Sequence, residues 1–217
     1  MSPADFWDWF ANRYDAWYQG PEIEREDGVV YDQVKWSIKQ DRVQSLVDVG
    51  CGTGTLFDRL NGDLADLEVV GLDVSPRMIS EAVRKHPSKA FLTADMDRRF
   101  NLGRTFDLAV CNFSFNYFMR PEIALENLRR LIRPSGRLVV TLMMPKRLLY
   151  PSCPHRFGLR CPVLFHGRRT FERGGFRVMV DRPFALTKAY DRPAQEDTVV
   201  ARLPWLANYR ILVCART

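Results

Sequence analysis

Residues 46–56 read LVDVGCGTGTL and limit the fold of this chain more than any other stretch. Leu46, Val47 and Val49 form an apolar run around Asp48, glycines follow at 50, 52 and 54, and helical spacing begins at Thr55, Leu56 and Phe57. That order predicts a buried strand, a tight turn and a helix N-terminus. Glycine suits such a turn because the backbone takes angles other residues resist, and because no Cβ holds a ligand off the main chain. In an α/β sheet, the crevice beyond such a strand is where a cofactor lies. A glycine turn with a purely structural role has the same spacing.

The remaining chain decides between them. The third glycine of the dinucleotide fingerprint G-x-G-x-x-G would fall at Thr55, and no Walker lysine follows. Residues 68–72 (EVVGL) form a second short strand ending in Asp73, after which Ser75-Pro76 is a sound helix start ahead of Met78, Ile79, Ala82 and Val83. Residues 90–93 (AFLT) and 106–111 (FDLAVC) give a third and fourth strand. Pro121 opens a helix, and Pro134-Ser135-Gly136 is expected to turn into a fifth strand over 137–142. Five strands with intervening helices imply a parallel sheet covered on both faces. A short helix is expected around 168–173. Two further strands, 176–181 and 209–215, follow without a helix between them.

Asp48 to Gly54, Asp-x-Gly-x-Gly-x-Gly, resembles motif I of the class I S-adenosylmethionine-dependent methyltransferases, of the small-molecule type. Further matches lie in order along the chain: Asp73, nineteen residues after Gly54; Asp95-Met96 closing the third strand; the stretch from Phe106 to Tyr117; the block LRRLIRPSGRLVVTL from Leu128; and Arg13-Tyr14-Asp15 ahead of motif I. The resemblance implies a Rossmann-like doubly wound sheet of seven strands in the order 3-2-1-4-5-7-6, the last one antiparallel. It implies S-adenosyl-L-methionine as cofactor, held by Tyr14, Asp48, Gly50, Cys51, Gly52, Gly54, Asp73, Val74, Met78, Asp95, Met96 and Asn112. An acid at Asp73 can accept both ribose hydroxyls, and Asp95 can meet the adenine amino group. No metal is implied.

The methyl of that cofactor is already activated by its positive sulfur. The protein's work is therefore to align the acceptor, exclude water and, where needed, take a proton. The candidates for touching the acceptor are Tyr117, His155 and His166; His86, at a helix end before Pro87, reads as a surface residue. Cys153, His155, Cys161 and His166 give C-x-H-x5-C-x4-H, which is not a familiar zinc spacing.

Residues 4–18 hold seven aromatics, against 12% aromatic residues in the whole chain. On a helix, Phe6, Trp7, Phe10, Tyr14, Trp17 and Tyr18 fall within an arc of about 120°, with Asp5, Asp8, Asn12 and Asp15 opposite. Simple docking onto the domain explains such a face, and so does a lid. The acidic polar side speaks against a membrane-surface role. A second helix is expected over 22–40, and Gly20-Pro21 between the two could serve as a hinge. The chain reads as a single domain, 1–217, with a helical lid at 1–40 and a substrate-side insert at 143–167.

Length and composition fit that picture: 217 residues, 46% hydrophobic and 27% charged, give one α/β domain with a sizeable core. No apolar run approaches the roughly 20 residues of a membrane span, and the acidic, tryptophan-bearing N-terminus is unlike a signal peptide, so a cytoplasmic protein is expected. Five cysteines do not make a disulfide framework; Cys51, Cys111 and Cys214 are expected to be core residues. The net charge of +6 brings in the competing reading of an RNA or protein acceptor. Against it, CNFSFNYF replaces the Asn/Asp-Pro-Pro-Tyr/Phe of amino-directed nucleic-acid methylases, and there is no basic-aromatic stripe. A small-molecule acceptor is favoured, and a catalytically silent Rossmann-like module is the non-enzyme alternative. The oligomeric state is not legible.

Overall fold

The computed structural model describes residues 1–18, 21–145, 162–184 and 209–217, with side chains throughout these except at 17 and 21–27. Two helices, α1 (Pro3–Tyr18) and α2 (Pro21–Gln40), precede β1 (Ser45–Val49). Then come α3 (Thr55–Arg59), β2 (Glu68–Asp73), α4 (Pro76–Lys85), β3 (Ala90–Thr93) and β4 (Phe106–Asn112). A 3₁₀ turn (Phe115–Tyr117), α5 (Pro121–Leu131) and β5 (Ile132–Met143) follow, and α6 (Arg168–Arg173), β6 (Phe176–Phe184) and β7 (Tyr209–Arg216) end the described chain.

The seven strands form one sheet in the order β3-β2-β1-β4-β5-β7-β6, and β7 is antiparallel to both its neighbours. This is the expected topology. Strand β1 is buried along its whole length, as a central parallel strand must be when helices cover both faces. Its residues alternate between two cores. Leu46 joins Leu108, Val110, Val139 and Ile211 under α2 and α3, with Val30, Val34, Leu56 and Phe57. Val47 and Val49 join Ala109, Leu138, Val140 and Leu212 under α5, with Ala124, Leu125 and Leu128. The buried Cys51, Cys111 and Cys214 are all free thiols. Burial raises all three, Cys111 and Cys214 to about 12, so they behave as apolar packing groups.

Ser75 caps α4 as expected, its hydroxyl accepting the Met78 N–H at 3.1 Å. Pro134-Ser135-Gly136 differs from expectation. The strand already begins at Ile132, which pairs with Phe106, and the register then jumps so that Arg137 pairs with Leu108. The expected turn is a bulge inside β5, and Gly136 lies so close to the Asp107 carbonyl that a Cβ would sit 2.7 Å from it. His86 also differs, because it is no surface residue. It is partly buried beside the Phe57 and Phe91 rings and faces Asp58 Oδ1 at 3.0 Å. Among the described residues no helix is long and apolar enough to cross a membrane.

The loop after β4 is tied to the segment after β5 by one buried side chain. Asn116 Nδ2 donates to the carbonyls of Met143 (3.2 Å) and Leu164 (2.7 Å), and its Oδ1 accepts the Met143 N–H at 2.8 Å. Asn116→Leu keeps the volume and leaves these buried backbone groups without partners, at roughly 1–3 kcal/mol each. Urea unfolding should show a loss of about 3 kcal/mol or more; a loss below about 1 kcal/mol would show that the clamp contributes little.

Candidate functional site

The carboxyl ends of β1, β2, β3 and β4 open into one cleft of about 490 Å³, inside the roughly 300–1,000 Å³ of small-molecule sites. The turn after β1 forms its floor. Gly50, Gly52 and Gly54 all have positive φ (77°, 53° and 86°), the left-handed region that favours glycine. At Gly50 an added Cβ would stand 2.3 Å from Ser114 Cβ, so the missing side chain lets the β4 loop close onto the glycine loop. Ser114 seals that approach by donating its hydroxyl to the Val49 carbonyl at 2.7 Å. Gly52 faces the cleft across from Tyr14, whose ring would lie 3.7 Å from a Cβ there.

Asp73, ending β2, is held rather than left to solvent. Its Oδ2 accepts the Gly52 N–H and its Oδ1 the Ser75 N–H, both at 2.9 Å. Burial raises its pKa, and the N–H groups of Ser75, Gly52 and Val74 oppose that rise by favouring the ionised form. A carboxylate has about four acceptor positions, so lone pairs remain for hydroxyls in the cleft. Asp48 lies deeper. Burial first, and the charge of Asp73 second, push it up to about 8.

At the β3 end, Asp95 Oδ1 accepts the Asp97 N–H, and both oxygens of Asp97 accept N–H groups at the start of α5, from Met119 and Arg120 at 2.8 Å each. Asn127 fixes the same loop by donating to the Met96 and Arg98 carbonyls. The other end of the cleft is aromatic: Trp7, Tyr14 and Tyr18 from α1, Phe113 and Tyr117 from the β4 loop, and Tyr209 from β7. Trp7 meets Tyr117 edge-on at 5.0 Å, and the Tyr18 and Tyr31 hydroxyls lie 2.9 Å apart. Asn112 lines this junction, and its Oδ1 is buried and accepts no hydrogen bond among the described residues.

Of the residues expected from sequence, Tyr14, Gly50, Gly52, Asp73, Val74, Met78, Asp95, Met96, Asn112 and Tyr117 line this cleft together. Asp48, Cys51 and Gly54 do not. Asp48 and the Cys51 side chain are buried below it, Cys51 Sγ against Gly71, and Gly54 is turned towards His86 and Phe91. His166 is corrected as well: it packs edge-on against Phe115 at 5.0 Å, outside the cleft, and burial lowers its pKa. His155, Cys153 and Cys161 lie outside the described residues, as does Gly20. Sequence reasoning missed Asp97, Ser114 and Tyr209. For Tyr209 a signal existed, because the first residue of an antiparallel last strand arrives at the same sheet edge where the parallel strands end.

A sheet of this order, with a glycine turn after β1 and an acid ending β2 facing one cleft, defines a Rossmann-like protein built for an adenosyl cofactor. A family model described as a methyltransferase domain matches residues 47–138. The dTDP-4-amino-2,3,4,6-tetradeoxy-D-glucose N,N-dimethyltransferase of Saccharopolyspora spinosa is 33% identical over 186 residues, 83% of this chain and 71% of that protein. The malonyl-[acyl-carrier protein] O-methyltransferase of Hahella chejuensis is 31% identical over 48% of this chain, a match that spans only 38% of that relative's length. In fold, the Synechocystis magnesium protoporphyrin IX methyltransferase, solved with bound S-adenosylhomocysteine, superposes with a TM-score of 0.67 over 98% of each chain at 19% identity. The chain belongs to the class I S-adenosylmethionine-dependent methyltransferases. S-adenosylmethionine is the cofactor of this family, and the residues present fit it: an open glycine backbone at Gly52, an oriented acid with spare lone pairs at Asp73, and an orphan acceptor at Asn112.

Two outcomes follow from this geometry. Asp48 has a folded pKa of about 8 against roughly 4 unfolded. A raised acid makes the folded state bind more protons, so its contribution to stability is lost as pH rises from about 4 to about 8. Asp48→Asn should therefore gain stability relative to wild type as urea midpoints are compared at pH 5 and then pH 8; a difference that stays constant with pH would refute the assignment. Gly50→Ala should destabilise by about 2–4 kcal/mol, from overpacking against Ser114 and from the left-handed backbone. Ser114→Gly in the same chain should recover the packing part, measurable as a positive coupling in a double-mutant cycle.

Proposed function

We propose that this protein transfers a methyl group from S-adenosylmethionine to a small-molecule acceptor seated against the aromatic end of the cleft. The observation that carries the proposal is that one continuous cleft joins an acid-bearing polar end, at β1 to β3, to an aromatic end. When bound, the cofactor supplies a methyl on a cationic sulfur. Asp73 fixes the cofactor's sugar, Gly52 lets it lie on the backbone, and the β3 loop meets its base. Trp7, Tyr14, Tyr18, Tyr117 and Tyr209 exclude water, and their π faces favour a cation by about 0.5–2 kcal/mol. Residues 1–40 act as a lid and Tyr117 touches the acceptor. The relative matched over most of its length is named for an amino sugar, so small amines are the first acceptors to test.

Titration calorimetry with S-adenosylhomocysteine checks the cofactor half. Asp73→Ala should weaken binding by roughly 1.5–3 kcal/mol, the range for hydrogen bonds to a charged group, and Gly52→Val should abolish it with the circular dichroism unchanged. Unaltered affinity in both variants would overturn the site. For the acceptor half, transfer of labelled methyl into the small-molecule fraction of an extract is expected. Label confined to RNA or protein would favour the competing acceptor.

A further inference from the structure

Asp8 and Asp15 were expected on the solvent side of α1, yet each grips a loop of the cofactor cleft. Asp8 Oδ1 accepts the Ser75 hydroxyl at 2.5 Å and the Arg77 N–H at 3.1 Å. Asp15 Oδ1 accepts the Thr53 hydroxyl at 2.5 Å, and its Oδ2 pairs with Lys85 Nζ at 3.2 Å. Ser75 and Thr53 are both fully buried. Ser75 is the residue whose N–H holds Asp73, and Thr53 stands between Gly52 and Gly54. Lys85 is in turn shared with Asp58 of α3, 2.7 Å away. On a helix, positions seven apart fall on one stripe. Trp7 and Tyr14 thus make one stripe facing the cleft, while Asp8 and Asp15, one step round, make a second along its rim.

We propose that Asp8 and Asp15 are positioning residues that latch α1 shut over the cofactor, one on the ribose-side loop and one on the glycine loop. Entry and exit of the cofactor along the α1 side require both clasps to open, so they set how long the spent cofactor stays. Each clasp is a hydrogen bond to a carboxylate in partly buried surroundings, the strong kind, and its partner O–H loses its charged acceptor when it breaks. Asp5, on the same helix, bonds among the described residues to Ser2 at the exposed end and takes no part.

The proposal rests on the cofactor reading above, and stopped-flow release of S-adenosylhomocysteine, followed by the fluorescence of Trp7 and its neighbours, tests the two separately. Asp8→Ala and Asp15→Ala should each release the ligand on the order of ten- to a hundredfold faster, whereas Asp5→Ala should match wild type. Asp8→Asn keeps an oxygen that can accept from Ser75 and Arg77, and should restore slow release to within a few fold. If both alanine variants release at the Asp5→Ala rate, the latch is wrong while the cofactor site stands. If Asp8→Asn releases as fast as Asp8→Ala although its melting temperature equals wild type, the clasp is not a hydrogen-bond latch. Failure of wild type to bind S-adenosylhomocysteine at all would overturn both readings.

Discussion

The Asp73 carboxylate joins parts of the chain that would otherwise be independent. One oxygen takes the N–H of Gly52 and the other the N–H of Ser75, so the turn after β1 and the turn after β2 are fixed to each other through a single side chain. The Ser75 hydroxyl then caps α4 and reaches Asp8, while Thr53 in the glycine turn reaches Asp15. Floor, acid and covering helix therefore form one hydrogen-bonded unit. Every member of it is short and polar. That is how a site can be built where two parallel strands end and leave backbone groups to be satisfied.

What this unit needs from the rest of the fold is a rigid edge. The sheet supplies it by burying both faces of β1, β4 and β5, and by returning β7 antiparallel between β5 and β6. Because β7 runs the other way, its first residue, Tyr209, stands at the edge where the parallel strands finish, its ring tilted against those of Phe113 and Phe184. The aromatic end of the cleft is thus assembled from three distant parts of the chain: α1, the β4 loop and the start of β7. Phe113 takes a left-handed backbone (φ 57°) to reach it, a conformation uncommon for a bulky residue and one that concentrates at functional sites.

The strands, the glycine turn and its neighbouring acids were legible because each rests on local pattern: apolar runs that stop at or near Asp48, Asp73 and Asp95, glycines at fixed offsets, and Ser75-Pro76 ahead of a helix; the strand order and the other cleft residues came from the family resemblance. Relations set by approach in space were not legible. Nothing in CNFSFNYF says that Ser114 will fill the place of a side chain at Gly50, or that Asn116 will hold the strand after it. His166 looked available because sequence shows a titratable ring but not the Phe115 ring packed edge-on against it. The acids of α1 were misjudged for a related reason. Helical periodicity separates an apolar face from a polar one, but it does not tell a polar face in water from one that meets buried hydroxyls.

The acids near the end of β1 and at the end of β2 show how position sorts chemically identical groups. Asp48, buried in the floor, is held largely protonated near neutral pH, partly because Asp73 is close. Asp73 is also desolvated, but three N–H groups point at it and favour its charged form. Two ionised carboxylates so near each other in a low-dielectric pocket would repel strongly. Keeping Asp48 neutral removes that repulsion and leaves Asp73 as the acid at the cleft surface. The geometry of the glycine turn decides which is which, because the Gly52 N–H that would otherwise be orphaned points towards Asp73 and so holds it as the acid that faces the cleft.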